Sequence, residues 1–268
     1  MINNEYIELL KHQAPMPEEI KPVQKVINNR IESSSLFKVK QFGKTFIYKI
    51  SDSNTSFRNL MLAQILLEKD IAVPDSKVFI SGGKYFERYE ILQGRPLSNA
   101  IMDNSLTKDE IEKVLYDMIA CDYKISKIDV SKQNFANQLI LSARRKNHHT
   151  KDFGKFIAKV LYVLNKAQEK HGRIALHHAD LNPSNVLLDD NGNFKALLDL
   201  DSLALCNEYT MLSQILFLWP NLSLDKVVEI YESVYGEKLN KRYLQGQLHL
   251  KRIKANVAKT LRKIKSYS

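Results

Sequence analysis

The stretch HHADLNPSNVLLDDNGNFKALLDLDSL, residues 177–203, decides what the rest of the chain is built around. It predicts two short strands, near 185–188 and 195–200. The tetrapeptide Asp189-Asp190-Asn191-Gly192 joins them, and Asn-Gly is a strong hairpin signal. His178-x-Asp180-x-x-x-x-Asn185 leads into the first strand, and Asp199-x-Asp201 closes the second. Asp180 falls in a loop ahead of a strand, where a carboxylate can face a cleft and orient a hydroxyl. Asn185 and Asp199 are hard oxygen donors that the hairpin draws together. A small hard cation such as Mg²⁺ takes this kind of sparse oxygen set, with water and phosphate in its other positions. Phosphoryl transfer asks mainly for positioning and charge neutralisation. A base, two metal ligands and a phosphate-binding lysine therefore make a near-complete set for it.

Upstream, LFKVKQFGKTFIYKI (36–50) partly alternates apolar and polar residues, with Gly43-Lys44 between two runs, and predicts a β-hairpin. FRNLMLAQILLEK (57–69) has apolar residues at helical spacing and no Gly or Pro. It predicts a helix that Val73-Pro74 ends. Residues 77–80 and 85–92 read as two more strands around Ser81-Gly82-Gly83. Gly94-Arg95-Pro96 breaks this pattern, and helices dominate afterwards. Thr107-Lys108-Asp109-Glu110 is a capping box for a helix running to about Ser126. Residues 134–147 and 152–171 read as further helices. Ser223 is an N-cap for a helix stopped by Gly236, and a last helix runs over about 240–265. The expectation is an α+β, bilobal chain: a small β-rich lobe over 1–92, a hinge near 90–94, and a larger, mainly helical lobe over 93–268.

The 177–203 stretch resembles the catalytic loop and metal-binding strand of the small-molecule phosphotransferases with a protein kinase-like fold. That group includes the aminoglycoside phosphotransferases and choline kinases. HADLNPSNVLLD also resembles the kinases of lipopolysaccharide core sugars. The resemblance spans roughly residues 25–220. It implies ATP or GTP as donor, Mg²⁺ as the metal and a small-molecule hydroxyl as acceptor. It makes Asp180 the catalytic base and Asn185 and Asp199 the Mg²⁺ ligands. His178 braces the loop, and Asp201 matches a second acidic position with a less defined role. Phe46-Ile47-Tyr48-Lys49-Ile50 resembles the third strand of the small lobe, so Lys49 would hold nucleotide phosphates. The segment from Tyr89 through Glu90, Ile91 and Leu92 to Leu97 resembles the hinge that receives adenine through backbone groups. Two positions depart from the pattern. Asn59 stands where the family places a helical glutamate for the strand lysine, and Glu68 or a shifted register is the expected substitute. The phosphate-covering loop is not Gly-rich: Glu32-Ser33-Ser34-Ser35 occupies its place, so Ser34 and Ser35 would meet phosphate through hydroxyls and backbone N–H groups.

Charge locates a further feature. The chain carries 40 Lys and Arg against 30 Asp and Glu, a net of +10. Residues 238–268 hold seven Lys, three Arg and no acidic residue, so the body is neutral and the tail carries the whole excess. Leu250, Ile253, Val257, Leu261 and Ile264 make one apolar stripe along the tail, and basic residues cover the other faces. The tail is the last helix of the large lobe, or it also contacts an anionic membrane surface or an acidic sugar. Nucleic acid is disfavoured because no aromatics interleave the basic residues. Such a tail suits an acidic-sugar kinase at the membrane surface, and a polycationic aminoglycoside is the less natural acceptor. The two departures leave a catalytically weak nucleotide-binding pseudokinase or scaffold as a reading of another class. Cys121 and Cys206 lack metal or disulfide spacing and fit a reduced compartment. The His148-His149 and His177-His178 pairs lack zinc spacing. The expected location is cytoplasmic, with peripheral attachment at the inner membrane surface if the tail binds lipid.

Overall fold

The computed structural model describes residues 4–13, 17–23, 25–27, 30–32, 36–51, 55–133, 139, 172–219 and 221–266. It is α+β and divides into two compact units, 1–94 and 95–268. The helices expected over 134–147 and 152–171, and Ser34 and Ser35, lie outside the described residues.

The first unit is a sheet with helices. Strands β1 (Glu19–Pro22), β4 (Leu36–Gln41), β5 (Lys44–Ser51), β7 (Lys84–Glu90) and β6 (Ser76–Ser81) pair antiparallel in the order β1-β4-β5-β7-β6. β2 (Lys25–Ile27) and β3 (Arg30–Glu32) form a separate ladder. The hairpin expected over 36–50 is present, with its turn at Phe42-Gly43 rather than Gly43-Lys44. Gln41 pairs with Lys44 and both turn residues have positive φ, 49° and 71°. That is the hand a two-residue hairpin needs, and glycine meets it without a Cβ penalty.

The period of two sorts the side chains of β5. Tyr48 and Ile50 face a core with Phe37, Val39, Phe86 and Leu10, the last from α1 (Asn4–Gln13). Each of these large side chains, once buried, is worth about 1.5–3 kcal/mol. Lys49 faces the other way, on the side of α2 (Thr55–Glu68). This helix stops at Glu68, before Val73-Pro74, because Asp70 takes a left-handed turn at φ 54°. β7 stops at Glu90, two residues short of expectation.

The second unit starts at β8 (Arg95–Pro96) and α3 (Leu97–Met102). The capping box is formed: Thr107 Oγ1 accepts from the Glu110 N–H and the Glu110 carboxylate from the Thr107 N–H, opening α4 (Lys108–Ser126). α4 packs on β9 (Ile174–His178), which pairs antiparallel with β12 (Leu203–Asn207). β10 (Val186–Leu188) pairs with β11 (Phe194–Leu197) and with β8. β11 ends three residues early because Asp199 adopts φ 62°, ψ 66°.

Three helices follow, α5 (Glu208–Leu218), α6 (Leu224–Tyr235) and α7 (Lys241–Ser266). Asn207 caps α5, Ser223 caps α6, and Gly236 closes α6 at φ 69° with its N–H on the Glu232 carbonyl. α7 packs on α5 through buried Leu244, Gln247 and Leu248. Of the stripe expected from Leu250 onward, Ile253 is half exposed, and the side chains of Val257, Leu261 and Ile264 lie outside the described residues. Among the described residues no helix is long and apolar enough to cross a membrane.

Candidate active site

Two loops of the second unit carry the expected residues. The first, 179–185, runs from β9 to β10. Asn182-Pro183 shapes it: the Asn182 side chain accepts from the Ser184 N–H at 2.8 Å and proline starts the 3₁₀ turn Pro183–Asn185. The second, 198–202, runs from β11 to β12. Backbone bonds tie the loops at two points, Leu198 N–H to Asn185 O at 2.8 Å and Ala179 N–H to Ser202 O at 2.9 Å. Asp199 therefore sits one residue beyond the one bonded to Asn185, and Asp180 one residue beyond Ala179.

His178 adds a third tie. It is fully buried, and its Nε2–H donates to the Leu198 carbonyl at 2.8 Å. That bond holds the end of β9 against the residue preceding Asp199. Its Nδ1 is buried with no hydrogen-bond partner among the described residues.

The side chains expected at the site are held individually. Asp180 is half-buried, and its Oδ1 accepts from Gln214 Nε2 of α5 at 3.0 Å. The Asp180 carbonyl accepts from Asn185 Nδ2 at 2.9 Å, which turns the Asn185 side-chain oxygen the other way. Asp199 is exposed and its Oδ2 accepts from Ser202 Oγ at 3.0 Å. Its left-handed backbone is uncommon outside glycine and is tolerated by Asp and Asn. The result is one carboxylate on the first loop, and an amide oxygen and a second carboxylate on adjacent backbone. Asp201 lies exposed in the turn Leu200–Ser202. Among the described residues no three His, Cys, Asp or Glu side chains gather as a metal site. The available donor set is sparse and oxygen-only, which suits a hard cation that brings water and phosphate ligands with it.

Residues 58–236 match the phosphotransferase enzyme family APH. The chain belongs to that family. As a phosphotransferase of this family it carries its loop pair within the matched segment. Its fold is similar to that of a thermostable mutant of aminoglycoside phosphotransferase APH(4)-Ia in its apo form. There the identity is 14%, the match covers 97% of this chain and 94% of that one, and the TM-score is 0.62. It is likewise similar to macrolide 2'-phosphotransferase MphH from Brachybacterium faecium (14%, 99% and 94%, 0.62). A third is spectinomycin phosphotransferase APH(9)-Ia with ADP and its antibiotic (14%, 93% and 84%, 0.61). No curated protein sequence matches the chain.

The first unit holds the remaining expected residues. Lys49 is half-buried on β5, directly opposite Glu87 of β7. Asn59 of α2 is fully buried. Its Oδ1 accepts from Arg58 Nη2 at 2.8 Å, and its Nδ2 donates to Glu87 Oε2 at 3.4 Å. Asn59 thus meets a carboxylate. Glu68, the substitute considered from sequence, is exposed at the end of α2. Glu90 ends β7 with its carboxylate 3.6 Å from Lys44 Nζ, and half-buried Ile91 and Leu92 follow outside regular structure.

Three supporting residues escaped the sequence reading. Asp122 of α4 is fully buried; it accepts from the His178 N–H at 2.9 Å and from His177 Nδ1 at 2.7 Å. Burial alone would lower the His177 pKa, but the charge and hydrogen bond of Asp122 outweigh it and hold the imidazole above its ordinary value. A signal existed, since Asp122 stands among Met118, Ile119 and Ile125 on the buried face of α4. Gln214 and Glu87 gave none, because neither breaks its local pattern. The two cysteines behave as inert core thiols: burial pushes Cys121 up to about 12 and Cys206 up as well. Trp219 is core too, with its indole N–H on the Leu181 carbonyl at 2.8 Å.

Proposed function

We propose that this phosphotransferase moves the terminal phosphoryl group of ATP or GTP to a hydroxyl of a small molecule. The tie between the Asp180–Asn185 loop and Asp199 carries the reading. It ties the backbone that carries the Asp180 carboxylate to the backbone that carries Asn185 and Asp199, inside the segment that matches the family, which supports a base beside two hard oxygen donors. Gln214 occupies Asp180 Oδ1, so Oδ2 is the oxygen left to receive the acceptor proton. As that proton leaves, the acceptor oxygen bonds the terminal phosphorus, the bond from phosphorus to the bridging oxygen breaks, and the nucleoside diphosphate departs. Asn185 Oδ1 and the Asp199 carboxylate would hold Mg²⁺, which supplies charge neutralisation on phosphate oxygens when bound. Lys49, Ser34 and Ser35 would contact phosphates, and backbone groups of Glu90, Ile91 and Leu92 the base. Solved complexes of fold neighbours with ADP, ATP and GDP support nucleotide use.

Asp180→Asn is expected to abolish transfer, by at least about 100-fold in kcat, while nucleotide affinity stays within about twofold. Turnover like that of the unaltered protein would remove Asp180 from the base role.

The basic tail favours an acidic sugar at an anionic membrane as the acceptor. Because Leu244, Gln247 and Leu248 pack on α5, truncation would damage the fold. Charge neutralisation is the cleaner test. Lys259, Arg262, Lys263 and Lys265 replaced together by Gln should lose sedimentation with phosphatidylglycerol vesicles. Unchanged sedimentation would sink this acceptor reading.

A further inference from the structure

We infer that Glu87, on strand β7, is the positioning residue that holds the Lys49 ammonium where it meets nucleotide phosphate, with Asn59 steadying Glu87 from helix α2. This rests on the phosphotransferase reading for its consequence and on four observations for its geometry. First, Lys49 and Glu87 are Cα partners in the β5–β7 ladder. Side chains directly opposite share a face, with Cβ atoms about 4.5–5.5 Å apart, and opposite charges attract there. Second, Glu87 is 1% exposed. A carboxylate taken out of water must be satisfied or must give up its charge. Third, its satisfaction is lopsided. Oε2 has Asn59 at 3.4 Å, a long bond, while Oε1 is buried and has no hydrogen-bond partner among the described residues. Fourth, the neighbours are committed elsewhere. Arg58 directs its guanidinium to Asn59 Oδ1, which leaves the Asn59 amide nitrogen facing Glu87.

The electrostatics agree. Burial is the main influence on Glu87 and raises its pKa, against the polar group of Tyr89, the charge of Lys49, and the polar groups of Asn59 and Ser56. Lys49 is the cation whose charge acts on this carboxylate and opposes the effect of burial. The benefit is mutual. A lysine side chain gives up rotamer freedom when it is fixed. An anchored ammonium surrenders that freedom before nucleotide arrives, so less of the phosphate contact is spent on ordering it. The strand location has its own reason: the pleat fixes the direction of residue 87, whereas residue 59 is too short and uncharged to hold an ammonium by itself.

The test uses the full chain and the variants Glu87→Gln, Glu87→Asp, Lys49→Met, Asn59→Ala and the Glu87→Gln/Lys49→Met pair. Glutamate labelled with ¹³C at the carboxyl, assigned by Glu87→Gln, reports the Glu87 titration without nucleotide. Lys49→Met should move it up by at least about half a pH unit. With an ATP-consumption assay, Glu87→Gln should raise the KM for ATP about tenfold with the acceptor KM unchanged, and Glu87→Asp should recover part of it. In the Lys49→Met background Glu87→Gln should add nothing further. An unmoved Glu87 titration, or an equal Glu87→Gln penalty with and without Lys49, would overturn the pairing. If Glu87→Gln does not fold, Asn59→Ala takes its place, with an expected rise of about threefold in the KM for ATP; an unchanged KM would count against the inference. Should the unaltered protein bind no nucleotide, the functional reading fails by itself, and the NMR titration still decides whether Glu87 and Lys49 are paired.

Discussion

Asp122→Leu removes a carboxylate that two buried donors share. The side chain sits on the apolar face of α4 and joins that helix to the end of β9, where the His178 N–H donates at 2.9 Å and His177 Nδ1 at 2.7 Å. The Tyr235 hydroxyl at 3.5 Å is too far to count. Leucine fills similar volume, so the cavity contribution is small and the orphaned donors dominate. Each buried group left unsatisfied costs about 1–3 kcal/mol, and the two together come to about 4 kcal/mol. For a unit of this size 1 kcal/mol corresponds to about 2–4 °C, so the midpoint of the cooperative transition should fall by about 8–16 °C. The assay is thermal unfolding followed by circular dichroism, with the His177→Leu and double variants alongside. Part of the loss should vanish in the His177→Leu background, leaving a coupling of at least about 1 kcal/mol. A drop smaller than about 4 °C, or strict additivity of the two substitutions, would show that Asp122 does not hold β9. Activity supplies a second readout: His178 sits at that strand end and bonds Leu198, so kcat should fall more than nucleotide affinity.

Three further outcomes follow from single contacts. Gln214→Leu leaves Asp180 without its amide donor and should lower kcat about tenfold while the KM for ATP stays constant; an equal change in both would make Gln214 merely structural. His177 is held above its ordinary pKa, so the folded state binds the proton more tightly than the unfolded chain. The stability gained is fully present below the ordinary value of 6.5 and is lost as pH rises through the folded value. The urea midpoint should therefore decline from pH 6 upward, and His177→Gln should flatten that decline. Gly246 lies inside α7 with open space where a Cβ would go, so Gly246→Ala should stabilise by about 1 kcal/mol. Gly236→Ala, also with open space but at φ 69°, should destabilise by a similar amount; opposite signs in calorimetry are the check.

Local rules carried much of the chain. The hairpin of β4 and β5, the capping box of α4, the caps at Ser223 and Gly236 and the short strands around Asn191-Gly192 are set by neighbours in sequence. They were legible because turn chemistry and side-chain period act over a few residues. Boundaries slipped where a residue took a left-handed backbone, at Asp70 after α2 and Asp199 after β11, since nothing local demands that choice for aspartate. The β9–β12 ladder was missed: its strands are only five residues each, and their pairing joins residues about 30 positions apart.

Residue identity and spacing alone point to the proposed chemical kit: Asp180, Asn185 and Asp199 in order, a strand lysine upstream, and the α+β class around them. Their types and intervals match what holding phosphate and a hard cation would require, and a requirement of that kind is written in residue identity. Which residues support them depends on tertiary packing. His178 reaches Leu198, Gln214 reaches Asp180 from α5, Asp122 reaches β9 from α4, and a buried strand carboxylate stands across from Lys49. Each of these contacts joins elements that are distant in the chain. Hydrogen bonding across such a gap depends on burial and ladder register, which no local pattern encodes.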